Sequence, residues 1–169
     1  EPYEVLFVND GSTDKTLEKL NLIGEENYKT ISYEENRGKG YALRQGVKHA
    51  QGDYIFFTDA DLAYGLGVIP RALEIFRQTG CDIVIGSRAK DEVGYQSYTP
   101  LRKIMSHTFR FIVRNYLHIF YSDTQCGLKG FRKEAAQKLF SQCQIDRFGI
   151  DFELLYLAAR QGFHVQEMG

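Results

Sequence analysis

Tryptophan is absent from the 169 residues, and proline and cysteine occur three times each. The thiols, Cys81, Cys126 and Cys143, are odd in number and show no C-x-x-C spacing, which argues against both a disulfide framework and a zinc knuckle. They are expected to be reduced, in a protein that faces the cytosol. No apolar run is long enough to span a bilayer, and no signal-peptide pattern opens the chain. An excess of one charge is missing too: 21 Lys and Arg oppose 22 Asp and Glu, for a formal net charge of -1. Nothing global therefore favours nucleic acid as a partner, and any anion-binding surface must be local. No G-x-G-x-x-G follows a strand, which argues against a dinucleotide-binding dehydrogenase. The absence of G-x-x-x-x-G-K-[ST] excludes a P-loop enzyme.

What is present suits one compact domain: 43% apolar residues, 25% charged, and plentiful Tyr and Phe. Tyr3 to Val8 is a short apolar run closed by Asn9-Asp10-Gly11, which predicts a buried strand feeding a loop. Ser12 or Thr13 can cap a helix to about Glu26, with Leu17, Leu20 and Ile23 on its inner side. Further strands are predicted over Thr30–Tyr33, Asp53–Thr58 and Cys81–Ile85, and helices over Gly38–Ala50 and about Ile69–Gln78. Strands separated by helices imply right-handed crossovers and a mostly parallel sheet covered on both faces. In such sheets ligands bind where loops leave the carboxyl ends of strands. Three polar clusters sit there: Asn9-Asp10-Gly11, Asp59-Ala60-Asp61 and Gly86-Ser87-Arg88. In the second half, Leu101, Ile104, Met105, Thr108, Phe109, Ile112, Val113, Tyr116 and Leu117 recur at three- and four-residue steps, a long amphipathic helix. A compact Cys/Gly segment follows, then helices around Lys133–Ser141 and Ile150–Gln161 and the start of a last strand.

Asp59-Ala60-Asp61 carries the sharpest chemistry. Two carboxylates this close repel each other in a low dielectric unless a cation sits beside them. A hard divalent ion with oxygen ligands meets that need, and Mg2+ commonly shares such a site with substrate phosphates. The structural alternative is a helix N-cap followed by a solvated acid.

The three segments taken together resemble family 2 glycosyltransferases of the GT-A fold. Asp59-Ala60-Asp61 after a strand resembles their D-x-D metal motif. Asn9-Asp10-Gly11-Ser12-Thr13-Asp14 resembles D-D-G-S-x-D, and Asn36-Arg37-Gly38-Lys39-Gly40 is similar to the N-x-G-x-(G/A) turn before the next helix. Further on, Asp123-Thr124-Gln125-Cys126-Gly127-Leu128-Lys129-Gly130-Phe131 resembles the D-x-x-C-G-x-K-x-F stretch of polyprenyl- and dolichyl-phosphate sugar synthases. Gly86-Ser87-Arg88 is similar to their G-S-R segment, and Arg102-x-x-x-Ser106 to a phosphate-binding pair on their acceptor helix. The likeness covers nearly the whole chain. It implies an α/β GT-A fold, a Rossmann-like three-layer sandwich with a mostly parallel central sheet. Residues 1–169 are then a single catalytic domain that starts after the family's first strand and stops before its last segment, so this stretch alone is expected to bind nucleotide weakly.

The resemblance also implies roles. Asp10, Asp14, Gly38 and Asp59 would bind the nucleotide, Asp10 at its base. Asp59 and Asp61 would hold Mg2+ or Mn2+ on the donor diphosphate. Asp123 and Gln125 would face the sugar, and Arg88, Arg102 and Ser106 would hold the acceptor phosphate. The implied reaction moves one hexose from a nucleotide sugar of the UDP-glucose or GDP-mannose type to a polyprenyl or dolichyl phosphate, with inversion. The D-T-Q-C-G version leans towards UDP-glucose. The implied partners are the nucleotide-sugar donor, the lipid-phosphate acceptor and a membrane surface, with the protein at its cytoplasmic face and no nucleic acid involved.

Structural alternatives stand beside these roles. Asp14 could simply start a helix, and Arg88 could be an ion-pair partner at a sheet edge. Arg102, Ser106, Arg110 and Arg114 form one ridge at four-residue steps, which is the pattern of a solvated face. That ridge holds three cations and no acid, so contact with an anionic membrane is a second reading. Lys129 is expected to have a buried stem and an exposed tip, and Cys126 to be a small packed hydrophobe. The four histidines show no ligand spacing. Gln144-Ile145-Asp146-Arg147-Phe148 superficially resembles the Q-x-x-R-W element of processive polysaccharide synthases, but lacks the Trp and runs into a helix. Ala63 departs from the Gln of many mannose synthases, which removes one side-chain metal ligand. Rival functions are transfer to a glycan hydroxyl, nucleotidyl transfer with release of pyrophosphate, and a non-catalytic domain of the same fold.

Overall fold

The computed structural model describes residues 2–87, 121 and 123–169. They fall into two compact units, one built from Glu1–Ile55 and Arg132–Glu153, the other from Phe56–Phe131 and Leu154–Gly169.

In the first unit β1 (Val5–Asp10) and β2 (Tyr28–Tyr33) pair in parallel, from Val5 opposite Tyr28 to Asp10 opposite Tyr33. A parallel pair needs a crossover, and α1 (Thr16–Asn21) lies within it. The strand runs on through Asn9 and Asp10, which the sequence assigns to a loop. Asn9 is buried and its Nδ2 donates to Ser32 Oγ at 2.9 Å, so pairing holds this polar residue in the ladder. The turn starts at Gly11, whose φ of 65° suits glycine, and a first side-chain carbon there would lie 2.7 Å from Glu35 C. α1 is shorter than the predicted span to Glu26. None of its residues is buried and Ile23 is exposed, so no apolar face extends it, while Tyr28 is already fixed opposite Val5. Beyond β2, α2 (Lys39–His49) packs on β1 and buries Val47. It also contacts α4 (Lys133–Phe140), which buries Ala135, Ala136, Leu139 and Phe140, at roughly 1.5–3 kcal/mol for each large side chain.

The second unit centres on a four-stranded sheet, in the order β3 (Tyr54–Phe57), β5 (Lys129–Arg132), β4 (Ile83–Gly86) and β6 (Val165–Met168). β4 and β6 are parallel, with Ile83 opposite Val165, whereas β5 runs antiparallel to β4, with Ile83 opposite Phe131. α3 (Val68–Thr79) packs on β4 and sends Phe76, fully buried, edge-on to Phe56 at 6.1 Å. Gly80 closes that helix in the left-handed conformation. α5 (Ile150–Arg160) starts in the first unit and delivers Leu154, Leu155 and Ala158 to the core of the second.

The antiparallel strand β5 lies where the sequence shows only a compact Cys/Gly segment before the helix at Lys133. Lys-Gly-Phe-Arg has neither β-branched residues nor apolar alternation, and long-range pairing with β4 decides its conformation. Arg88, Arg102, Ser106, Arg110 and Arg114, together with the long helix predicted over Leu101–Leu117, lie outside the described residues. No helix among the described residues is long and apolar enough to cross a membrane.

Candidate functional site

In the first unit the site is built around the carboxylate of Asp10, the last residue of β1. Its Oδ1 accepts the backbone N–H of Arg37 and its Oδ2 that of Gly38, both at 2.8 Å, while Asn36 Nδ2 donates to the Asp10 carbonyl at 2.9 Å. Gly38 is needed for this: φ is 101°, and a first side-chain carbon would stand 2.6 Å from the carbonyl oxygen of Asp146. Each carboxylate oxygen keeps lone-pair capacity for a further donor. Next to it Arg37 lies 3.9 Å above the ring of Tyr41, and Tyr41 meets Tyr33 edge-on at 5.2 Å. Burial, and then the nearby Asp10 carboxylate, pushes the Tyr33 phenol well above its ordinary range. The neutral phenol therefore faces the acid at any physiological pH.

Asp14 is placed differently. Its Oδ1 accepts the N–H of Thr16 at 2.9 Å and the Thr16 hydroxyl at 2.5 Å, and these bonds lower its pKa. It sits where α1 begins and shapes that start.

Sequence reasoning missed the strap that holds the Asn36–Gly40 turn. The Asp146 carbonyl accepts the N–H of Tyr41 at 3.1 Å, Arg44 donates to the Ile145 carbonyl at 2.9 Å and pairs with the Asp146 carboxylate. Glu153 in turn accepts the N–H groups of Gln144 and Ile145, each at 2.9 Å. Lys39 and Asp151 form a mostly buried ion pair at 3.2 Å. The segment that resembles Q-x-x-R-W thus has a supporting job here, in which Phe148 stays exposed. Most of these contacts have a backbone group on at least one side, and all of them join residues far apart in the chain or beyond any motif.

In the second unit Asp59 and Asp61 follow β3 on an exposed turn. Leu62 N–H donates to the Asp59 carbonyl at 3.0 Å, and Ala63 N–H to Asp61 Oδ1 at 3.1 Å. Leu62, with φ of 50°, is the non-glycine residue held in the left-handed region among the described residues. Such strain, on the order of 1–3 kcal/mol, persists where the surroundings fix it, and here it lies directly after Asp61. The donors on this turn are oxygen only, and two carboxylates leave most of an octahedral shell to water and phosphate. That fits a hard divalent cation shared with a diphosphate. Among the described residues there is no cluster of three or more His, Cys, Asp or Glu side chains that could hold a metal.

The turn Asp123–Gly127 is brought against Asp59, for the backbone of Gly127 lies directly beside the Asp59 carboxylate. Asp123 is half-buried and accepts the N–H of Gln125 at 3.2 Å, while Gln125 is exposed. Lys129 corrects the expectation of an exposed tip: the whole side chain is buried, and Nζ donates to the Cys126 carbonyl at 2.7 Å. Cys126 is fully buried, and burial pushes its thiol up, the behaviour of a packed hydrophobe. All three cysteines are buried, and none is in a disulfide.

Comparison with known proteins agrees with this architecture. Residues 1–140 match the model of Glycosyl transferase family 2. The chain is 36% identical over 168 residues to a dolichyl-phosphate beta-glucosyltransferase of Drosophila melanogaster, covering 92% of this chain and 51% of that protein. For the enzyme of the same name in Homo sapiens the figures are 33%, 92% and 51%, and for that of Saccharomyces cerevisiae 30%, 98% and 55%. The chain thus spans about half the length of the curated relatives it matches. Among solved structures, glucosyl-3-phosphoglycerate synthase from Mycobacterium tuberculosis with Mn2+, UDP-glucose and phosphoglyceric acid superposes at a TM-score of 0.69 and 17% identity, over 96% of this chain and 57% of that one. A mannosyltransferase from Pyrobaculum calidifontis with GDP-Man and Mn2+ gives 0.63 and 20%, over 98% and 45%. These likenesses show the GT-A fold, and the chain belongs to glycosyl transferase family 2.

Proposed function

We propose that this chain transfers glucose from UDP-glucose to dolichyl phosphate, or a related polyprenyl phosphate, with inversion at the anomeric carbon. The observation that carries the reading is its 36% identity, over 92% of its length, with a dolichyl-phosphate beta-glucosyltransferase. Asp10 would accept a hydrogen bond from the nucleobase through the lone pairs that Arg37 and Gly38 leave free. Asp59 and Asp61 would hold Mg2+ or Mn2+, which when bound supplies positive charge to the leaving diphosphate. Asp14 would serve the donor by shaping the loop that follows Asp10, and Gly38 by holding the Asp10 carboxylate through its backbone N–H. Asp123 and Gln125 would face the sugar, and Arg88, Arg102 and Ser106 would bind the acceptor phosphate.

A phosphate acceptor is already ionised near neutral pH, so attack on the anomeric carbon needs no side chain to take a proton. A single displacement on an α-linked donor then gives a β-linked product, as the relatives' names state for theirs. Work on a lipid acceptor would put the protein at a membrane surface, and the cytoplasmic face is the side proposed. The test is a screen of UDP-glucose and GDP-mannose against dolichyl phosphate and oligosaccharide acceptors, with Mg2+ and with Mn2+. Glucosyl lipid phosphate with release of UDP is expected. Transfer to oligosaccharides alone, or release of pyrophosphate, would refute the proposal.

A further inference from the structure

Gly127 lies where a first side-chain carbon would overlap Asp59 Oδ2, stand 2.8 Å from Asp59 Cγ and meet Asp59 Cβ at an ordinary 3.5 Å. Its backbone is not in the left-handed region, so the chain conformation itself would accept alanine. The three heavy atoms nearest to a methyl at 127 all belong to Asp59, and the two that stand too close are in its carboxyl group. Nearby glycines answer to other neighbours: a side chain at Gly86 would meet Cys126 Sγ at 2.7 Å, and one at Gly130 would meet the ring of Phe56. Those two glycines serve packing, whereas Gly127 serves an acid.

We infer that Gly127 is a positioning residue, which sets the rotamer of Asp59 by leaving room for its carboxylate against the backbone of the Asp123–Gly127 turn. The inference rests on the proposed function only in taking Asp59 to serve the cation and donor. The anchor of that turn is substantial: Cys126 is fully buried, and the buried Lys129 ammonium binds the Cys126 carbonyl. The turn cannot retreat cheaply, so a methyl at 127 would be relieved by rotation of Asp59 about χ1, which moves Cγ and Oδ2 while Cβ stays put. The metal ligand would be turned away although it remains in the sequence.

The test is Mn2+ binding to the intact protein in the presence of UDP, followed by electron paramagnetic resonance, beside the thermal midpoint. Gly127→Ala should weaken Mn2+ binding about 10- to 100-fold, the range for loss of a group that orients a metal ligand. Gly67→Ala is the control, since a side chain there meets nothing within 4 Å; it should leave Mn2+ binding unchanged. In an Asp59→Ala background Gly127→Ala should cost nothing further, because the colliding carboxyl is gone. Should Gly127→Ala lower the midpoint, Asp59→Ala must restore it. The inference is overturned if Gly127→Ala binds Mn2+ like the wild type while Asp61→Ala does not, if its effect persists undiminished with Asp59→Ala, or if that second change fails to restore folding. Wild-type Mn2+ binding by Asp61→Ala as well would overturn the proposed function along with it.

Discussion

Asp10→Asn isolates what the carboxylate at the end of β1 does for the fold, separately from any nucleotide. The acid accepts two backbone N–H groups, from Arg37 and Gly38, one on each oxygen and both at 2.8 Å. Asparagine offers one acceptor and an NH2 that must face the second N–H. One charge-assisted bond is lost outright and the other becomes neutral. Hydrogen bonds to charged groups contribute about 1.5–3 kcal/mol each, and partial exposure of this loop places them at the lower end. The expected loss is about 2–3 kcal/mol, which for a domain of this size lowers the thermal midpoint by roughly 4–10 °C. Urea unfolding gives the free energy directly, and the slope should not change, since the exposed surface is the same. Asp61→Asn is the comparison: its carboxylate accepts one bond, from Ala63 on an exposed turn, so it should lose less than about 1 kcal/mol. A loss below about 0.5 kcal/mol for Asp10→Asn would refute the view that this acid ties the Asn36–Gly40 turn to β1.

Asp151→Asn, which removes the Asp151 charge from the mostly buried ion pair with Lys39, should cost about 3 kcal/mol in urea unfolding, and Lys39→Met in combination should cost less than the sum of the two. The Asp14 carboxyl is held below its usual range by Thr16, so the stability it contributes is present above its unfolded pKa and is lost as pH falls through the folded value. Thr16→Val should move the Asp14 titration, followed by carboxyl NMR, up towards the ordinary carboxylate range. Burial pushes the Cys143 thiol up to about 12, so iodoacetamide at pH 8 should label it only after unfolding in urea.

Much of this was legible in the residues, and the exceptions have physical causes. α2 to α5 start and stop within a residue or two of their sequence expectation because periodic apolar faces and glycines such as Gly38 and Gly80 mark them locally. β1 to β4 were legible as short apolar runs, though β1 outlasts its own because Asn9 and Asp10 keep pairing with β2. β5 was hidden, since Lys129 and Gly130 owe their strand state to partners far along the chain. The same distance hid the full burial of Lys129, whose cation is matched by the carbonyl of Cys126. Motifs singled out Asp10, Asp59 and Asp61 by residue type and by their order along the chain. They could not show that residues 144–147 brace the turn beside Asp10, nor that Gly127 faces Asp59. Those contacts put backbone groups or the absence of a side chain on one side, and their partners lie far away in the chain, so no local pattern marks them.

The proposed function requires that the acids after β3 hold a cation that in turn holds the donor diphosphate. Calorimetric titration of UDP into the intact protein, with and without Mn2+, tests it most directly. The account predicts that Mn2+ strengthens UDP binding by the wild type and has no such effect on Asp61→Ala. Equal strengthening in both proteins, or none in the wild type, would contradict it.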